Sequence, residues 1–299
     1  MKRVMQAGLA VNLLIVSIQI QFAQQPTPQP GQRGRVDPRV QQRVYVFKDT
    51  NEFLPYALFV SSKVSKTKKN PLIVALHGLG GDQNTMVREN YQAVQLAEEG
   101  GYILVTPMGY NSGGWYGIPV GAPRGNRAAP ANPNGAPPRG AGAGRGVAPP
   151  PAGGTAVTDA AKVRELSEKD TLNILDMIRK EFNVDENRTY LMGHSMGGAG
   201  TLYLGVKYPS NWAAIAAIAP AAFQLDPNSL ASIKDMPVII VQGDADTAVP
   251  VANTRRWADK MKELNMTSEY HEIPGGDHGS VIATGMPDIF AFFAAHVKH

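Results

Sequence analysis

The chain contains no cysteine. Disulfides, thiolate metal sites and a cysteine nucleophile are thereby excluded. Metalloprotease spacing is missing too: there is no H-E-x-x-H, and His271-Glu272 has no second histidine. G-x-G-x-x-G is absent, and no Lys follows the glycines near residue 80 in phosphate-loop spacing, so neither a metal nor a cofactor is expected. A basic folded surface is lacking as well. The formal charge of +4 over 299 residues rests on Lys2 and Arg3, on Arg33, Arg35, Arg39 and Arg43 against Asp37, and on Arg124, Arg127, Arg139 and Arg145. The remainder is net acidic, which argues against a nucleic-acid partner. Long apolar runs are also few. Ala7 to Ile20 is interrupted by Asn12, Ser17 and Gln19 and is too short for a stable membrane span. With Lys2 and Arg3 ahead of it, it reads as a signal peptide over residues 1–23, cut after Ala23, although Gln21 at the −3 position suits that cleavage poorly. A secreted or periplasmic location follows; an uncleaved amphipathic anchor is the alternative. With no cysteine after the apolar run, a lipoprotein is excluded.

Hydrophobic content of 43% and charged content of 18% are enough for a sizeable core. Residues 24–43, rich in Pro, Gln, Gly and Arg, are expected to be a flexible basic arm, with one folded domain over 44–299. Two runs, 43–47 and 54–60, suggest a hairpin or two edge strands. Near-continuous apolar runs follow at 71–77, 102–107, 188–193, 212–218 and 237–241, with a last strand at 267–273, as buried parallel strands require. Helical patterns lie between them at 91–98, 168–180, 198–207, 253–265 and 287–297. Ser167-Glu168-Lys169-Asp170 has the spacing of a capping box at the start of the second. The alternation predicts an α/β fold with a doubly wound, mostly parallel sheet and right-handed crossovers. Residues 117–154 break the pattern: 28 of the 38 are Gly, Pro or Ala. They cannot bury enough apolar surface to offset ordering, and read as a disordered insertion in a surface loop.

Gly193-His194-Ser195-Met196-Gly197 is a G-x-S-x-G between an apolar, β-prone run and a helical one. A strand, a sharp turn and a helix present such a serine as a nucleophile above the sheet. A serine hydroxyl needs a base, and the base an orienting acid. Both lie downstream at strand ends, where chemistry collects in open α/β sheets. His278 sits in a Gly-rich loop after the last strand. For the acid, Asp246 lies far enough into its loop to turn toward a histidine, and Asp244 at the strand exit is the competing choice. His194, His271, His296 and His299 are placed less well. Leu76-His77-Gly78-Leu79-Gly80-Gly81 supplies the fourth part, in which the N–H groups of Leu79 and Met196 would form an oxyanion hole. Trp115 and Tyr116, after the second apolar strand, could stack on an aromatic or sugar group; equally, they could only anchor the base of the insertion.

Through these motifs, together with Gly243-Asp244-Ala245-Asp246 and Asp277-His278-Gly279, the chain resembles α/β-hydrolases of the secreted esterase group. It is similar to polyhydroxybutyrate depolymerase-like, feruloyl-esterase-like and prolyl-oligopeptidase-like catalytic domains. Many relatives have a histidine where Gln242 stands, and the disulfides common in depolymerases are missing, which counts against a polymer depolymerase. The resemblance implies a serine esterase acting through an acyl-enzyme on small-molecule or polysaccharide-linked esters, aryl or carbohydrate ones favoured. A serine peptidase and a non-catalytic binding protein on the same fold are the alternatives. The arginines of the arm and insertion could hold an anionic polymer weakly; a solvated spacer is the favoured reading.

Overall fold

A computed structural model describes residues 34–119 and 153–298. The expected signal peptide, residues 24–33 of the arm and residues 120–152 of the expected insertion lie outside the described residues. Eight strands form one sheet: β1 (Gln41–Phe47), β2 (Glu52–Val60), β3 (Asn70–Leu76), β4 (Ile103–Pro107), β5 (Val184–His194), β6 (Ala214–Ile218), β7 (Val238–Gly243) and β8 (Ser268–Ile273). Their order is β1-β2-β4-β3-β5-β6-β7-β8. β1 and β2 are the expected hairpin; β2 runs antiparallel to β4, and every pairing from β4 to β8 is parallel.

Five α-helices cover the two faces: α1 (Ala93–Gly100), α2 (Ala160–Glu181), α3 (Met196–Lys207), α4 (Val251–Glu263) and α5 (Ser280–Ala295). Successive residues of β3 explain how. Ile73 and Ala75 face the core shared with α1 and α5, while Leu72, Val74 and Leu76 face the core shared with α2, α3 and α4. A strand buried on both faces must be apolar at every position, which is why these runs do not alternate. Among the described residues no helix is long and apolar enough to cross a membrane.

Four expectations are corrected. Residues 34–43 belong to the folded domain: Val36 bridges to Arg88, Asp37 N–H donates to Val87, and Arg39 and Arg43 pair with Asp37 and Glu181. Their polar composition concealed an edge segment held by backbone pairing. The insertion's outer residues are also ordered, since Ile118 is buried and Gly153 bridges to Asn111. Ser167 and Glu168 do not open a helix. α2 begins two turns earlier, where the Asp159 side chain accepts from the Lys162 N–H. Ser167 and Asp170 are buried acceptors for the loop after β4, while Glu168 accepts from Lys207 and Tyr208. Ser167 takes the Tyr116 N–H, and Asp170 takes the N–H groups of Gly109 and Tyr110. Burial pushes the Asp170 carboxyl up to about 6, against those donors. α5 likewise starts before Pro287, which lies within the helix rather than at its first turn.

Candidate active site

Ser195 stands between β5 and α3 with φ 57° and ψ −114°, a conformation an L-residue adopts only under constraint. Backbone bonds supply that constraint. Its N–H donates to Ile218, and its carbonyl accepts from Ala199 and Ala221, at 2.9, 2.9 and 3.0 Å. The flanking glycines permit the turn. A Cβ on Gly193 would strike the Gly197 backbone, and one on Gly197 the Leu76 carbonyl of β3.

The serine Oγ lies 2.8 Å from His278 Nε2, and His278 Nδ1 lies 2.7 Å from Asp246 Oδ2. A carboxylate can only accept, so Nδ1 carries the proton and the Nε2 lone pair faces the serine hydroxyl. The Asp246 side chain is fully buried. Burial would raise its pKa, but the N–H groups of Val249 and Ala248, with His278, hold it below the ordinary carboxylate value. Both amides donate to Oδ1 at 2.8 Å. Asp244 is elsewhere, accepting the Gly275 N–H at 2.6 Å as a brace of the turn.

The loop after β3 runs directly beside the serine: a Cβ on Gly78 would be 3.2 Å from Ser195 Cβ. In that loop Gly80 N–H donates to Ser112 and Gly81 N–H to Gly78. Leu79 stands between Gly78 and these two donors, its side chain 65% exposed. Met196 opens α3, where an N–H has no carbonyl a turn earlier in the helix. His77 is buried, its Nε2 2.8 Å from the Met108 carbonyl, and burial lowers its pKa.

Trp115 and Tyr116 part company. Tyr116 is fully buried, its hydroxyl donating to the His77 carbonyl at 3.1 Å, and it cannot stack on a substrate. It is instead the pin that ties the loop after β4 to the loop after β3. A positive φ of 51° at Tyr116, next to 55° at Trp115, turns the first ring inward and leaves the second half-exposed, against Arg164.

The family model described as "Putative esterase" matches residues 53–283. The chain belongs to the Esterase family. Cutinase 1 of Thermobifida cellulosilytica is 35% identical over 95 residues, 32% of this chain and 34% of that protein. The chain thus matches about a third of the length of these curated relatives. A solved thermostable esterase is 25% identical with a TM-score of 0.60, over 87% of this chain and 64% of that one. The CE1 ferulic acid esterase of Anaeromyces mucronatus shares the fold, with 19% identity, a TM-score of 0.61, and 90% and 93% coverage.

Two residues of this Esterase-family site gave little sign of themselves in the sequence. Gln242, at the end of β7, is fully buried and donates from Nε2 to Asp246 Oδ2 at 3.1 Å, while Oε1 accepts from Thr254 at 2.7 Å. An amide closing an apolar strand was the available signal. His194 reaches the His278 carbonyl from Nε2 at 2.7 Å. A carbonyl only accepts, so Nε2 carries a proton. Burial, then the neighbouring His278, lower its pKa to about 4.

Proposed function

We propose that the protein is a serine esterase that hydrolyses carboxylic esters through an acyl-enzyme on Ser195. The observation that carries this is the unbroken chain Ser195–His278–Asp246, at 2.8 and 2.7 Å. Membership of the Esterase family supports it independently. His278 takes the Ser195 proton as Oγ attacks the ester carbonyl, and Asp246 stabilises the imidazolium. The N–H groups of Leu79 and Met196 receive the oxyanion, each lowering the barrier by roughly 3 kcal/mol. His278 then protonates the departing alcohol. Water, activated by the same histidine, releases the acid.

Aryl or carbohydrate-linked esters are the substrates we favour, because the half-exposed Trp115 offers a flat apolar face in the loop that Tyr116 pins to the loop after β3. Titration of p-nitrophenyl acetate, butyrate and octanoate, beside Ser195→Ala and fluorophosphonate labelling, tests the reading. Serine-dependent turnover is expected. Equal turnover by Ser195→Ala would overturn it.

A further inference from the structure

Arg164, in the second turn of α2, is a half-buried cation without an acid among the described residues. Its Nη1 donates to the Ile118 carbonyl at 2.7 Å, and the guanidinium carbon lies 5.5 Å from the centre of the Trp115 ring. Arg39, Arg43, Arg188 and Arg255 each pair with a carboxylate; Arg164 pairs with none among the described residues. Burial lowers its pKa, and no neighbouring acid opposes the shift. A guanidinium has five donors in a planar fork, and partial burial without a carboxylate leaves it under-satisfied.

Arg164 and Trp115 line a narrow cavity of about 40 Å³ with Ala221, Ala222 and Phe223. That volume suits one functional group rather than a whole substrate. One wall of the cavity is tied to the Ser195 backbone, the other to the loop after β3. Ala221 donates its N–H to the Ser195 carbonyl. Trp115 follows the Ser112–Gly114 turn, which accepts from Gly80 and faces Leu79 closely enough that a Cβ on Gly113 would lie 3.8 Å from its Cδ1. Phe223, 44% exposed, and Leu79 are two of the few large apolar side chains left open to solvent. A largely apolar lining, with Gln224 and one cation that has no carboxylate partner among the described residues, matches an aromatic ligand that ends in an anion.

We propose that Arg164 and Trp115 form a subsite for the free carboxylate of an aromatic ester. The inference rests on the esterase reading and names its substrate class: aromatic esters bearing a second, unesterified acid. Trp115 covers the ring, and the donors of Arg164 other than the one held by Ile118 take the carboxylate in a forked pair.

Two substrate pairs test it, each differing by one carboxylate: phenyl acetate against 4-acetoxybenzoate, and methyl benzoate against monomethyl terephthalate. In at least one pair the charged ester should have a kcat/KM about tenfold higher, the scale of one charge-assisted contact. Arg164→Gln should bring that ratio to about one, and Arg164→Lys, which keeps the charge, should retain part of it. Equal turnover within both pairs, or a preference that survives Arg164→Gln, overturns the subsite and leaves the esterase reading intact. If no ester is turned over, the esterase reading falls, and calorimetric titration with terephthalate decides the subsite separately. Binding lost in Arg164→Gln would uphold it; no binding to the unaltered protein would overturn it.

Discussion

Gln242 donates to the same Asp246 oxygen that accepts from His278, at 3.1 and 2.7 Å. Thr254 fixes the amide from behind, since its hydroxyl donates to Gln242 Oε1 at 2.7 Å and so sets which end faces the carboxylate. The acid is therefore held by a side chain as well as by the two backbone N–H groups on Oδ1. Gln242→Leu is close in size but cannot donate. We expect kcat on p-nitrophenyl acetate to fall about tenfold with KM nearly unmoved, as removal of an orienting partner does. Undiminished kcat in a folded variant would show that the backbone amides suffice.

The two neighbouring aspartates should separate sharply. Asp246→Asn leaves the shape intact but disturbs the tautomer of His278, and kcat should drop by about three to four orders of magnitude. Asp244→Asn removes only a turn brace to Gly275 and should cost less than about threefold. Steady-state kinetics on one ester compares them; similar losses in the two would contradict the assignment.

His194 links the site to acid stability. Its folded pKa of about 4 lies below the ordinary 6.5. Below pH 6.5 the unfolded chain binds a proton that the native ring refuses, so the stabilising contribution is present above 6.5 and is lost as the pH falls toward 4. Within that window the loss runs at about 1.4 kcal/mol per pH unit. His194→Gln can still donate to the His278 carbonyl yet does not titrate. Melting curves at pH 7 and pH 4.5 should show a smaller drop for the variant than for the unaltered protein.

The paired aromatics after β4 make a further contrast. Tyr116→Phe removes one buried hydrogen bond to His77 and should lower stability by about 1 kcal/mol with little change in KM. Trp115→Ala should raise KM for aryl esters several-fold. Thermal melts and KM values for phenyl acetate check both; a raised KM in Tyr116→Phe alone would reverse the roles.

The parallel strands and the turn at Ser195 were legible because burial on both faces demands uninterrupted apolar runs, and because the glycines around the serine are dictated locally. The mostly parallel, doubly wound character of the sheet followed from the alternation with helices. What stayed hidden was tertiary in origin. Ser167 and Asp170 look like helix-capping residues because capping and buried acceptance use the same polar side chains; only the loop packed against α2 distinguishes them. Pro287 resembles a first-turn proline, and nothing local shows that α5 had already begun at Ser280. The inward turn of Tyr116 depends on positive φ at a non-glycine residue, which composition does not announce. Arg39 and Arg43 read as part of a solvated arm until their carboxylate partners, one of them far along the chain, are in view.

The most direct test of the central claim is the pre-steady-state release of p-nitrophenol from p-nitrophenyl acetate. An acyl-enzyme on Ser195 predicts serine-dependent release, with a burst approaching one equivalent of enzyme where deacylation is the slower step, and intact mass spectrometry should find the acetyl group on Ser195. Ser195→Ala should show neither burst nor adduct. Steady turnover that persists in Ser195→Ala, with no adduct on the unaltered protein, would contradict the account.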